Sequence, residues 1–251
     1  MKNRKTKVLR IYCSLLCMFL FTFSLVAQEA SGTETESVKR ISYGIKAGAT
    51  LSRFSSEQPH ANFKPGVTAG IFVSYPLSSS FALQLEPAYF QQGGNLISIM
   101  DYPMFLVHDP PFLLEIRDQK ITFHNIDIPL LIKYEKSVAG LNVFVLAGPS
   151  IGFNINAETK NNVSARTWEE IPVYYNFYQH ENISSNIRSI QYGAVGGIGF
   201  ETPVGTHKIL FDVKYRYSLN ATYPGYSYLG ITQIQGDLRT NSLYFTLGFG
   251  F

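Results

Sequence analysis

Three sets of residues in this chain have side chains that could do chemistry, and each makes a different demand on the fold. The first is the histidines, His60, His108, His124, His180 and His207. A hydrolase needs a nucleophile or an activated water with an oriented base beside it. His108-Asp109 sets a histidine beside an acid. Neighbours in an extended segment point to opposite sides, so the pair makes a poor dyad. No histidine or acid spacing matches a metal-ligand set. The expectation is therefore no catalytic residue, no metal and no cofactor.

The second set is charged and lies within apolar stretches: Lys46, Glu86, Asp127, Lys133, Asp212, Lys214 and Arg216. Such residues could line a narrow ion path, or neutralise one another inside a closed structure. Unpaired buried charge is costly, so the structural reading is preferred. The third set is aromatic: Tyr102 and Phe105 within 96–113, and Trp168, Tyr174, Tyr175 and Phe177 within 168–178. Exposed aromatic clusters mark binding surfaces, so these six form a candidate surface for a protein partner. The competing reading is that these segments pack on one another or extend strands.

The elements that hold these residues follow from composition and pattern. The chain has 251 residues, 45% hydrophobic and only 16% charged, with a net charge of +3. Globular chains carry about 25% charged residues. The positive charge sits at the start, where Lys2, Arg4, Lys5, Lys7 and Arg10 precede an apolar run from Ile11 to Val26. That order, ending in small Ala27, reads as a secretory signal peptide over 1–27. The run is shorter than the roughly 20 residues of a spanning helix. Cys13 and Cys17 both lie in it. What remains carries 16 basic and 18 acidic residues, without the basic excess of a nucleic-acid binder. Residues 28–40 read as a flexible periplasmic leader.

From residue 41 onward the period is 2, the strand signature. Eight alternating stretches follow one another, of which Tyr43-Ile45-Ala47-Ala49-Leu51 and Leu243-Phe245-Leu247-Phe249-Phe251 are the first and last. Phe72 breaks the second stretch, and the fifth, Leu141 to Asn154, is too apolar to assign its faces. Connections at 76–80, 135–140 and 203–206 are short. Those at 53–64, 92–119, 155–188 and 219–239 are long. This alternation predicts an all-β fold, an eight-stranded antiparallel up-and-down transmembrane β-barrel over 41–251, with short periplasmic turns and long extracellular loops. A soluble eight-stranded barrel would keep its apolar face inside. Here the second face mixes glycine with the charged set above, which suits an interior only wide enough for side chains, so the apolar face is left for lipid. A closed barrel also bonds every backbone group within the chain. Tyr43, Tyr75, Phe81, Tyr134 and Phe200 fall at turn ends, and Tyr89, Tyr192 and Tyr217 at loop ends, as two interfacial girdles do. Phe251, closing an alternating strand, reads as the signal for the barrel-assembly machinery.

The segments Tyr43–Ser52, Phe81–Pro87, Ile126–Tyr134, Ala147-Gly148-Pro149, Tyr192–Phe200 and Asp212–Tyr217 carry a resemblance. The chain resembles the PorT-like outer-membrane β-barrel proteins of Gram-negative bacteria over residues 41–251. The resemblance implies a cell outer-membrane location and a non-enzymatic structural or surface-interaction role, accessory to protein secretion or envelope assembly. A small pore or solute-binding barrel and a lipid- or peptide-modifying enzyme are the alternatives. The expected partners are outer-membrane lipid, the assembly machinery and a protein at the extracellular loops, with no nucleic acid.

Overall fold

The computed structural model describes residues 41–55, 61–96, 102–103, 112–138, 140–167, 174–223, 226–228, 231–234 and 238–251. The signal peptide and leader expected over 1–40 lie outside them, as do Phe105, His60, the His108-Asp109 pair and Trp168. Eight long strands follow in chain order: β1 (Ser42–Ser55), β2 (Lys64–Pro76), β3 in two pieces (Phe81–Leu85 and Ala88–Leu96), β4 (Phe112–Val138), β5 (Leu141–Thr167), β6 (Ile190–Val204), β7 (His207–Ser218) and β8 (Arg239–Gly250). Each pairs antiparallel with its chain neighbours. β1 also pairs with β8, from Gly44 opposite Gly250 to Ser55 opposite Arg239, and closes the ring. No helix among the described residues is long and apolar enough to cross a membrane; the strands of a closed barrel do that instead.

Local chemistry sets the turns. Val138 pairs with Leu141 and Val204 with His207, leaving two-residue links. Gly140 (φ +85°) and Gly205 (φ +63°) occupy them in the left-handed region, where a side chain would be strained. Ser78 closes the turn after β2 by accepting the Phe81 amide at 3.0 Å. β3 breaks at Glu86-Pro87 because proline has no amide to give the ladder. The neighbouring backbone compensates: Glu86 N–H donates to the Pro129 carbonyl and Ile71 N–H to that of Pro87.

Alternation makes the outer wall apolar. Tyr43, Ile45, Val67, Ile71, Leu130, Ile132, Val143, Val145, Ile198 and Leu247 are all exposed. On the outer face this belt stops at Arg53 and Gln91 on β1 and β3, and at His124 and Asn241 on β4 and β8. Tyr43, Tyr75, Tyr134, Phe200 and Phe251 ring its turn end, and Tyr192 and Tyr217 its loop end. Phe251 stacks on Tyr43 at 5.8 Å and donates its amide to the Tyr43 carbonyl at 2.8 Å, so the last residue is built into the closing seam.

Two sequence expectations change. The segments 112–119 and 155–167, assigned to loops, are strand. β4 and β5 run 27 residues each, and a further strand, Tyr174–Asn182, adds to β5. Together they form a sheet rising past the belt. Second, the ambiguous fifth stretch resolves: Phe144 and Leu146 are buried inside and Leu141, Val143 and Val145 face out. Phe72 breaks its pattern because it is wholly buried, filling the space over interior-facing Gly44 and Gly250.

Candidate functional site

The barrel interior holds the charged set in two clusters. Lys46, Glu86, Asp127, Lys133, Asp212, Lys214 and Arg216 are all buried, none more than 7% exposed. In the central cluster Lys46 donates to Glu86 at 2.5 Å and to Asp212 at 2.7 Å. Lys214 pairs with the other Glu86 oxygen and lies 3.2 Å from Asp212. Thr246 donates its hydroxyl to Asp212 and Gln84 its amide to Glu86. Toward the loop end, Arg216 Nε donates to Asp127 at 3.3 Å, and Nη1 to Ser218 at 3.0 Å. The ring of Phe90 lies 5.7 Å from the Arg216 guanidinium, close enough for a cation–π contact. Three cations thus meet three carboxylates.

The second cluster lies near the turns. Lys133 donates to Glu201 at 2.7 Å and pairs with Glu135 at 2.6 Å, while Lys208 reaches Glu201 at 3.2 Å. Glu135, Glu201 and Lys208 were missed as members on sequence grounds. The signal was there, since alternation puts Glu135 on the face of Lys133, Lys208 on that of Asp212 and Lys214, and Glu201 on the polar face of β6 with its glycines.

Apolar layers separate and cap these clusters. Leu131, Phe144, Leu146 and Val195 form a buried group inside, with the Lys133 ammonium 4.6 Å from the Phe144 ring centre. At the loop end Phe54, Ile121, Phe123, Ala157, Ile183, Ile187, Tyr223 and Leu238 make a second group. The interior cavity, lined by Glu86, Asp127, Lys214 and Tyr244 among others, measures about 40 Å³. Ligand pockets run to several hundred Å³.

Glycine makes this packing fit. A Cβ on Gly197 would meet Lys214 Cγ at 2.5 Å, and one on Gly193 would meet Arg216 Cζ at 3.0 Å. On Gly248 it would lie 2.9 Å from Lys46 Cγ. Within the Gly-rich run from Tyr192 to Phe200, Gly193 and Gly197 are recesses for the long cationic side chains and Gly199 for the Phe144 ring.

Of the aromatic set, the described members Tyr102, Tyr174, Tyr175 and Phe177 belong to strands of the rising sheet. Tyr102 belongs to a two-residue strand, Tyr102–Pro103, opposite Leu114 and Leu113 of β4. Leu114 stands opposite Ala165, and Ala165 opposite Tyr175. Tyr102 and Tyr175 therefore share one cross-strand row, three strand spacings or about 14 Å apart. Tyr174 and Phe177 stand opposite Arg166 and Val163.

Of the described histidines, His124 accepts or donates at Nδ1 with the Tyr89 hydroxyl at 2.6 Å. His180 Nε2 lies 2.8 Å from Glu158, and His124 Nε2 lies 3.9 Å from it. Burial pushes the Glu158 carboxyl up, but the His180 hydrogen bond and the charges of Lys160, His180 and His124 outweigh it and hold the group below the ordinary glutamate value. His207 packs on Phe249 and Phe251 at 5.1 and 5.7 Å. Among the described residues no group of three or more metal-ligating side chains could hold an ion.

Residues 26–223 match the family described as outer membrane protein beta-barrel domain. Among solved structures, the chain is similar to Ail, the attachment invasion locus protein of Yersinia pestis, at 9% identity over 84% of this chain and 98% of that one (TM-score 0.34). It is also similar to a major outer membrane protein from Thermus thermophilus, at 12% identity over 83% and 98% (TM-score 0.39). A third is Neisserial surface protein A, at 11% identity over 83% and 95% (TM-score 0.33). No curated protein matches.

Proposed function

The chain belongs to the outer membrane protein beta-barrel domain family and resides in the outer membrane, and from that premise we propose that it is a non-enzymatic surface-interaction barrel of the PorT-like type. In this reading the barrel is an anchor, and the sheet above the membrane is the working part. One observation carries it: the interior is closed by paired charges and apolar layers, while β4, β5 and Tyr174–Asn182 continue past the belt as a paired sheet. An export signal over 1–27 and an assembly signal at Phe251 complete the proposal. Its place is as an accessory to protein secretion or envelope assembly, with the part of the sheet that holds Tyr102, Tyr174, Tyr175 and Phe177 as the contact region. The interior charge network has a structural role: it neutralises buried cations and fills the lumen.

The test separates this from a pore. The purified barrel in a planar bilayer should conduct at background level; single-channel steps above it would favour the pore reading. Crosslinking in intact cells should then join the chain to envelope proteins through the sheet. Loss of those products on shortening the β4–β5 hairpin, with the barrel still folded, supports the interaction role. Unchanged products would remove it.

A further inference from the structure

The outer face of the rising sheet carries an arrangement that the fold alone does not explain. Lys120 of β4 stands directly opposite Lys160 of β5, and Lys160 directly opposite His180 of the flanking strand. Directly opposed residues of antiparallel strands share a face, so three basic side chains form one row. The row faces outward. Ile121 and Thr159, next in sequence, are wholly buried on the other side, while Lys120 is exposed. Like charges directly opposite in a sheet are destabilising.

Lys64, at the start of β2, adds a fourth basic group: its stem passes Gly93 of β3, where a Cβ would lie 3.2 Å from Lys64 Cδ, and Gly93 stands opposite Thr122, which stands opposite Glu158. Burial holds its ammonium below the ordinary lysine value; Glu158 opposes that effect, and the charges of Lys120 and Lys160 add to it. Among the described residues neither Lys64 nor Lys120 makes an ion pair. Glu158 is the neighbouring acid, and it is already shared: 3.7 Å from Lys160, 2.8 Å from His180 and 3.9 Å from His124. Asp118 lies one row further out, opposite Asn162. The lysines of this patch exceed its acids, and the two histidines add charge when protonated.

Position identifies what the patch faces. Directly below it on the same wall, His124 is tied to the rim tyrosine Tyr89, and beneath these Ile126, Ile128 and Leu130 continue the apolar belt. Lys120 is six residues from Ile126, about 20 Å along the strand, and a lysine stem can reach back toward the membrane. The row therefore overhangs the polar headgroups of the lipid that coats the belt. We propose that Lys120, Lys160, Lys64 and His180 form a site for the phosphate groups of a phosphorylated glycolipid of the outer leaflet. Bound phosphate relieves the repulsion between opposed lysines, and its oxygens accept from the Lys120 ammonium, which makes no ion pair among the described residues. Each lysine held near an anionic lipid surface adds to the attraction, so the patch favours the phosphorylated glycolipid over the neutral one.

The test exchanges the purified barrel into phosphatidylcholine nanodiscs doped with lipopolysaccharide, either intact or phosphatase-treated, and counts bound glycolipid by native mass spectrometry. The wild type should retain the phosphorylated form at least ~10-fold better than the treated one. Lys120→Gln/Lys160→Gln should bring that ratio within about twofold, with heat-modifiable gel mobility confirming its fold. Lys136→Gln, at the turn end, should keep the full ratio. Equal retention of the two glycolipids by the wild type, or an unchanged ratio in the double variant, overturns the site. Inorganic phosphate binding as tightly as the glycolipid overturns the assignment to a lipid headgroup.

Discussion

Lysine appears in two settings in this barrel, and the settings are opposites. Inside, Lys46 and Lys214 meet carboxylates at hydrogen-bond distance and are buried to 7% exposure or less. Outside, Lys120 meets another lysine across the strands. The interior tolerates lysine because every cation has a fixed counter-charge within the chain. The outer face tolerates it because water, salt and membrane anions can screen it. The same residue type is thus a structural filler in one place and an unbalanced charge in the other, and changing each should move stability in opposite directions.

The largest effect belongs to the interior. Glu86→Gln leaves Lys46, Lys214 and Arg216 against Asp212 and Asp127 only. Removing one partner of a buried ionic group typically costs about 3–5 kcal/mol. Urea unfolding of the lipid-embedded barrel should show a loss of that order. Adding Lys214→Met restores the balance of cations and acids and should recover much of it, since a well-packed apolar side chain often replaces a buried ion pair without cost. A single-variant loss under about 1 kcal/mol would mean that the interior is far wetter than its packing indicates.

The outer face should respond weakly and with the other sign. Lys120→Gln removes a like-charge pair worth roughly 0.2–1 kcal/mol. In phosphate-free detergent at low salt, unfolding should shift toward greater stability by a few tenths of a kcal/mol, and the gain should fade as salt is added. A loss of stability on this substitution would show that Lys120 has a counter-charge after all.

How much of this could be read beforehand follows the membrane. Within the belt, lipid on one side and a filled lumen on the other enforce strict alternation, so the strands and the faces of Lys46, Asp127 or Lys214 stand out. Above the belt the outer face meets water instead of lipid, so it is no longer uniformly apolar and the pattern weakens. Bulges make it worse: the β4–β5 register shifts between Ile116 and Asp118 and again between His124 and Asn125. Each added residue flips the facing of everything beyond it, so 112–119 and 155–167 do not read as strand. The row of Lys120, Lys160 and His180 depends on pairing across those shifts. No spacing within one segment reveals it. Glu201 and Lys208 are a different case, visible on the right face but without a partner named until β4, β6 and β7 are brought together.

The smallest effect concerns Glu158, where the outer face holds its own acid. Burial alone would raise this carboxyl; the His180 hydrogen bond, with the charges of Lys160, His180 and His124, holds it below the ordinary glutamate value of 4.5. A depressed carboxyl binds protons more readily in the unfolded chain than in the folded one. Its contribution is therefore present above about pH 4.5 and is lost as the pH falls through the lower folded value. The contribution is local, because Glu158 ties β5 to the flanking strand Tyr174–Asn182. Hydrogen exchange of the amides in Tyr174–Asn182 should accelerate, relative to the barrel strands, as the pH drops below 4.5, after correction for intrinsic rates. His180→Ala should remove most of that acid dependence while leaving exchange in β1 and β8 unchanged. Equal acid sensitivity in the variant would place the anchoring of the flanking strand elsewhere, in the backbone ladder alone.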